Sequence, residues 1–191
     1  MCWVSIDIET DGLIPSKYSM ISFGAVIIEE GLEKKFYAKL KPISEEFNTE
    51  ALAISGFSRE ETFQFEDPKT VMLRFKKWLN DNCESKPYFI SDNNGFDWQF
   101  INWYFHYFIG ENPFGYNSSN LRSLYQGLNK DMKAHFKHLP KTEHTHNALD
   151  DAMGNAEVLL EIMNQFDWIC YDSFKNYIYH SVFLLFYFDI S

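Results

Sequence analysis

The chain of 191 residues carries 17 Lys and Arg against 27 Asp and Glu, a net charge of −10, with 46% hydrophobic and 18% aromatic residues. That length suits one domain with a sizeable core, and the apolar content excludes a disordered chain. The acidic balance argues against broad nonspecific nucleic-acid binding, though not against an enzyme that grips phosphates locally through metal ions.

The three cysteines, Cys2, Cys83 and Cys170, are odd in number, far apart and in no metal-like spacing. Free thiols in a reducing cytoplasm are therefore expected. No basic region followed by an apolar run opens the chain, and the longest apolar run, Val182 to Phe188, is too short to span a bilayer. A cytoplasmic location with no membrane association is the expectation.

Three strands come first, over residues 2–9, about 20–29 and about 34–41, joined by short linkers that favour an antiparallel meander. In SIDIETDGL (residues 5–13) Val4, Ile6 and Ile8 alternate with Ser5, Asp7 and Glu9, so the two acids project on one face. Two neighbouring carboxylates repel unless a cation, a proton or solvent intervenes. Either this is an edge strand with a wet face, or it is half of a metal site.

Residues 43–56 predict a short helix stopped at Gly56, and Asp67-Pro68 opens an amphipathic helix through Val71, Phe75, Trp78 and Leu79. Pro87 to Ser91 is a compact apolar strand, and a helix runs from Phe96 with Phe100, Trp103, Tyr104 and Tyr107 on one stripe. After a loop at 110–119, Leu121, Leu124 and Leu128 mark another helix. Residues 130–146 are polar and irregular, and a last helix starts near Asn147. Strands grouped first and then alternating with helices predict a mixed sheet with helices on both faces.

Asp97 opens its helix just past a strand end, where an aspartate is often only a cap or dipole partner. His146 and Asp151 lie five apart at the start of the last helix. Each is ordinary alone. Together, Asp7, Glu9, Asp97 and Asp151 offer four oxygen ligands of the kind hard divalent cations prefer, with an imidazole nearby as a base near neutral pH.

At these positions the sequence resembles the DEDDh exonucleases, the RNase-H-like 3′→5′ nucleases that include proofreading subunits, RNase T and oligoribonuclease. Asp7-Ile8-Glu9-Thr10-Asp11-Gly12 matches the family's D-x-E-T-x-G, Asn93 with Phe96-Asp97 its second motif, and His146 through Asp151-Ala152 its H-x4-D-A. A minor signature is loosely echoed in residues 54–60. The tyrosine branch is set aside because position 147 is asparagine. Two departures stand out. Asp92 occupies a place where many members have histidine, and reads as a turn residue before it reads as an added acid. Asn120 stands where many have aspartate, and can still cap its helix.

The resemblance, over about residues 2–166, implies an α/β, RNase H-like fold of three layers, α/β/α, with a mixed central sheet, and an exonuclease domain over 1–167. It implies hydrolysis of phosphodiester bonds from the 3′ end by a two-metal mechanism. Asp7, Glu9, Asp97 and Asp151 would hold two Mg²⁺ or Mn²⁺ ions, and His146 would take the proton from the attacking water. Thr10, Gly12 and Leu13 become candidates for sugar and base contacts. The substrate expected is single-stranded or short RNA or DNA, with RNA slightly favoured by the acidic surface and the lack of an added nucleic-acid domain. A DNA exonuclease and a catalytically inactive binding module of the same fold are the alternatives.

Lys130, Lys133, Lys137 and Lys141, with His135 and His138 between them, interrupt the acidic background. They read first as a solvated face and second as a phosphate-guiding loop. Zinc held by the histidines at 135, 138, 144 and 146 is disfavoured for want of cysteine partners or a recognisable spacing. Residues 168–191, with Trp168, Tyr171, Phe174, Ile178, Val182 and Leu185 at three- and four-residue steps, predict a helix packed on the core, or else the interface of a homodimer.

Overall fold

The computed structural model describes residues 1–165. Period-two alternation makes β1 (Cys2–Thr10) a strand with two unlike faces, and the sheet grows to both sides of it. β2 (Met20–Ile27) and β3 (Lys35–Lys39) extend it antiparallel, as the short linkers predict, while β4 (Pro87–Ser91) and β5 (Ser118–Asn120) extend it parallel. The order is β3-β2-β1-β4-β5, so β1 is central and the wet-edge reading of its acids fails.

Six helices complete the described residues: α1 (Thr49–Ile54), α2 (Arg59–Thr62), α3 (Pro68–Asn82), α4 (Asn94–Ile109), α5 (Leu121–Asn129) and α6 (Ala148–Gln165). Val4, Ile6, Ile8, Phe23 and Phe89 face α3 and α4, whose Phe75, Leu79, Phe100 and Tyr104 close one core. On the other face Ile90 and Val26 meet α5 and α6 through Leu121, Val158, Ile162, Ala152 and Ala156. Helices thus cover both faces of a mixed sheet, the three-layer α/β/α arrangement expected.

Local signals set most boundaries. Asp67 caps α3, its side chain accepting the Thr70 N–H at 2.9 Å, with Pro68 in the first turn. Asn120 accepts the Ser123 N–H at 2.7 Å and caps α5, as its position suggests. The helix expected over 43–56 is shorter. Asn48 caps it by accepting the Ala51 N–H, while its own N–H is drawn to the Asp11 carbonyl, so residues 43–48 run as a loop. β5 and α2 were not expected: three polar residues and a four-residue turn carry no periodicity to detect.

Cys2 and Cys83 are bonded, with Cα atoms 5.7 Å apart, which corrects the expectation of free thiols. Cys2 begins β1 and Cys83 caps the C-terminus of α3, and packing of that helix on the sheet brings them together across 81 positions of sequence. The ground for a reducing compartment is thereby lost. Among the described residues no helix is long and apolar enough to cross a membrane. The aromatic stretch 168–191, its expected helix or subunit contact, and Cys170 lie outside the described residues.

Candidate active site

The face of β1 opposite the α3/α4 core carries Ser5, Asp7 and Glu9 in a row, paired with Val26, Gly24 and Ser22 of β2. α6 crosses this face, tied down by the Ser5 hydroxyl, which donates to the Ala152 carbonyl at 2.8 Å. Its first turn can approach because Gly24 lacks a side chain. A Cβ there would stand 2.4 Å from the Ala148 carbonyl oxygen and 2.4 Å from Leu149 Cα. That approach delivers Asp151 to the acids of β1.

Ligand oxygens of Asp7, Glu9 and Asp151 lie within 4.8 Å of one another. Asp97, the remaining member of the expected quartet, lies in the first turn of α4 beyond the end of β4. It stands outside the tight trio, yet its charge still raises the carboxyls of Asp7 and Glu9. Burial is the main cause in each case. It holds Asp7 well above the ordinary carboxylate range, with Asp97, Asp151, Glu9 and Asp92 adding to the rise. Burial, then Asp151 and Asp97, push Glu9 up to about 8. Asp97 rises to about 7 through burial, with the Ser91 hydroxyl pulling the other way and Asp92 adding to the rise.

Such a set is uncomfortable as bare anions. The buried Oδ2 atoms of Asp97 and Asp151 have no hydrogen-bond partner among the described residues. Buried carboxylate oxygens without donors suit a cation, and an all-oxygen set suits Mg²⁺ or Mn²⁺. The residues therefore fit the metals that the resemblance implies.

His146 stands at the rim, exposed and with a left-handed backbone (φ 57°). Beside it stands His144, which the sequence groups only with the histidines at 135, 138 and 146 as a disfavoured zinc set. His144 Nδ1 lies 2.8 Å from Asp151 Oδ1, and its ring centroid is 4.5 Å from that of His146. Thr145 donates its backbone N–H to the same Asp151 oxygen at 3.0 Å.

The loop after β1 is held from beneath. Asp11 is fully buried and accepts from Arg59 Nη1 at 2.8 Å, and the guanidinium lies between the rings of Phe47 and Phe63. Arg59 belongs to the minor signature, which thus acts as a strut for the first motif. Of the candidate substrate contacts, Thr10 is buried and donates its hydroxyl to the Gly12 carbonyl at 2.8 Å. Gly12 is packed against the Tyr18 ring, where a Cβ would come within 2.1 Å of ring carbon. Only Leu13 is open, at 71% exposed.

Asp92 is more than a turn residue. Its charge reaches Asp7 and Asp97, its Oδ2 pairs with Arg122 at 3.1 Å, and its carbonyl accepts from Asn120 Nδ2 at 2.7 Å. The departure from histidine at 92 and the asparagine at 120 are therefore in contact with one another. Lys130, Lys133, Lys137 and Lys141 are exposed on the irregular stretch and form no ion pairs among the described residues.

The family model described as Exonuclease (RNase_T) matches residues 4–159. The chain is 39% identical over 166 residues to the 3′–5′ DNA exonuclease Cap18 of Escherichia coli, covering 82% of this chain and 88% of that protein. Among solved structures, the nuclease domain of 3′hExo, a DEDDh family member bound to rAMP, superposes with a TM-score of 0.67 at 16% identity, covering 86% of this chain and 92% of that one. Cell-death related nuclease 4 (CRN-4) superposes with a TM-score of 0.68 at 18% identity, covering 86% of this chain but only 64% of its own. These last two share the fold. With the family model running from β1 into α6 and a 3′–5′ exonuclease 39% identical over most of both chains, the chain belongs to the RNase T-type exonuclease family.

Proposed function

We propose that the chain removes nucleotides from the 3′ ends of single-stranded DNA, with Asp7, Glu9, Asp97 and Asp151 holding two Mg²⁺ or Mn²⁺ ions and His146 as the general base. The observation that carries this reading is the buried carboxylate set, whose orphaned oxygens call for cations. Bound there, the cations would stabilise the charge that builds on the phosphate oxygens as the bond to the 3′ oxygen breaks.

The chain's own groups supply the rest. A ring nitrogen of His146 accepts a proton from water as that water's oxygen bonds to phosphorus, and the exposed position of the ring lets the proton pass on to solvent. Burial beneath α6 keeps the carboxylates fixed relative to one another, so little reorganisation accompanies the charge change. Leu13, exposed in the first motif's loop, would pack against the terminal base or sugar, and the Thr10 hydroxyl on the Gly12 carbonyl would hold that loop in shape.

The preference for DNA over the RNA that the acidic composition slightly favoured rests on the likeness to Cap18, which is named a DNA exonuclease. A net charge of −10 disfavours long duplex contacts and suits a strand end held locally.

The test uses matched 5′-labelled DNA and RNA oligonucleotides, single- and double-stranded, with Mg²⁺ or Mn²⁺. A ladder shortening from the 3′ end of single-stranded DNA is expected, and Asp7→Ala should lower the rate by about 10³-fold with the circular dichroism unchanged. Internal cuts, or full activity in Asp7→Ala, would overturn the proposal. Faster shortening of RNA would overturn the substrate assignment alone.

A further inference from the structure

Asp151 belongs to two groupings of possible ligands. One is the carboxylate trio with Asp7 and Glu9; the other joins it to His144 and His146, whose ligand atoms also lie within 4.8 Å of one another and of Asp151. The second grouping has a different chemistry: two imidazoles and one carboxylate. Mg²⁺ takes oxygen ligands and dehydrates reluctantly, whereas imidazole suits Zn²⁺, Cu²⁺ and Ni²⁺. Two histidines with one carboxylate, leaving a fourth position open, is a known type of zinc coordination.

The three groups are already assembled. His144 Nδ1 is 2.8 Å from Asp151 Oδ1, and the two imidazole rings lie together with centroids 4.5 Å apart. Asp151 is 7% exposed and its second oxygen, Oδ2, has no partner among the described residues, so the carboxylate still has an acceptor to offer. Both rings are exposed, which gives an ion direct entry.

We propose that His144, His146 and Asp151 form a second cation site, selective for Zn²⁺ and similar imidazole-seeking metals, that competes with the carboxylate site for Asp151. The binding stands independently of the exonuclease reading. Its consequence for activity rests on that reading. An ion held by His146 occupies the nitrogen lone pair that would receive the proton from water, and it takes Asp151 from the trio. Zn²⁺ at this site therefore opposes hydrolysis, and the ratio of Zn²⁺ to Mg²⁺ or Mn²⁺ sets the active fraction. His144 is what makes the site: without it, His146 and Asp151 are a pair, too few ligands for firm zinc binding.

The experiment titrates Zn²⁺ calorimetrically into the metal-free full chain, and records the visible absorption of Co²⁺ as a stand-in that reports imidazole ligation. Variants are His144→Ala, His144→Gln, Asp7→Asn with Glu9→Gln, and His135→Ala with His138→Ala. Thermal melts of each metal-free variant confirm folding. Zn²⁺ affinity should fall about tenfold or more in both His144 variants, with the Co²⁺ spectrum lost, while Mn²⁺ binding changes less than about threefold. In Asp7→Asn with Glu9→Gln, Zn²⁺ binding should persist within about threefold while Mn²⁺ binding collapses. Zn²⁺ binding that survives in His144→Ala, disappears with Asp7→Asn and Glu9→Gln, or follows His135 and His138 would overturn the second site. The first two of those results would leave the carboxylate site, and with it the exonuclease reading, intact.

Discussion

Glu9 and Asp97 hold their protons up to about 8 and about 7 because burial and mutual repulsion penalise their charged forms. Their ordinary values are 4.5 and 3.8, so at neutral pH the folded state retains protons that the unfolded chain has released. The sign follows directly. The stability these groups contribute is full below their ordinary values and is lost as pH rises through about 7 to about 8. Exposed carboxylates whose values are lowered, such as Glu61 and Asp67, act below that window. The cation-free protein should therefore melt at a lower temperature at about pH 9 than at about pH 5. Glu9→Gln should shrink that fall, and Mn²⁺ should reverse it at the alkaline end. A Glu9→Gln protein with the wild-type pH slope would show that the strain lies elsewhere.

Gly24 decides at the level of elements how closely α6 lies on the sheet. An alanine there would press its Cβ against the backbone of Ala148 and Leu149, and backbone does not rotate away. Gly24→Ala is expected to cost about 1–3 kcal/mol in urea unfolding, the range for overpacking. It should also lower exonuclease activity more than it lowers stability, because the displaced turn leads to Asp151. Gly127 in α5 provides the contrast, since nothing lies within 4 Å of a Cβ there. Gly127→Ala should stabilise by about 0.5–1 kcal/mol through helix propensity, with activity unchanged. Equal effects of the two substitutions would mean that the close approach of α6 is immaterial.

For the molecule as a whole, the Cys2–Cys83 bond ties the strand that bears Asp7 and Glu9 to the end of α3 on the opposite layer. A crosslink spanning 81 positions restricts the unfolded chain strongly, and its loss should cost about 2–4 kcal/mol. Guanidinium unfolding with and without reductant measures this. The wild type should shift to lower denaturant on reduction, whereas Cys2→Ser with Cys83→Ser should be insensitive. Since both cysteines lie at the end of β1 remote from Glu9, activity of the reduced protein under folding conditions should be retained. An unchanged midpoint on reduction would show that the layers hold without the bond.

The sequence by itself determined the strand alternation that puts Asp7 and Glu9 on one face, the caps at Asp67 and Asn120, and the motif residues that mark the family. These are local properties: a period of two residues, a cap three residues from its donor, a fixed H-x4-D spacing. Only the tertiary structure decided that β1 is central, and therefore that its acids are largely withdrawn from solvent and crowded by other carboxylates. The same holds for Arg59 on Asp11, 48 positions away, for Ser5 on Ala152, 147 away, and for the paired cysteines. Asp92 and His144 gained their significance in the same way, from neighbours brought in by other elements. Periodicity carries no information across such distances. Those contacts form only when helices bury their apolar faces against a sheet, and that burial also fixes which polar groups meet at the carboxylate cluster.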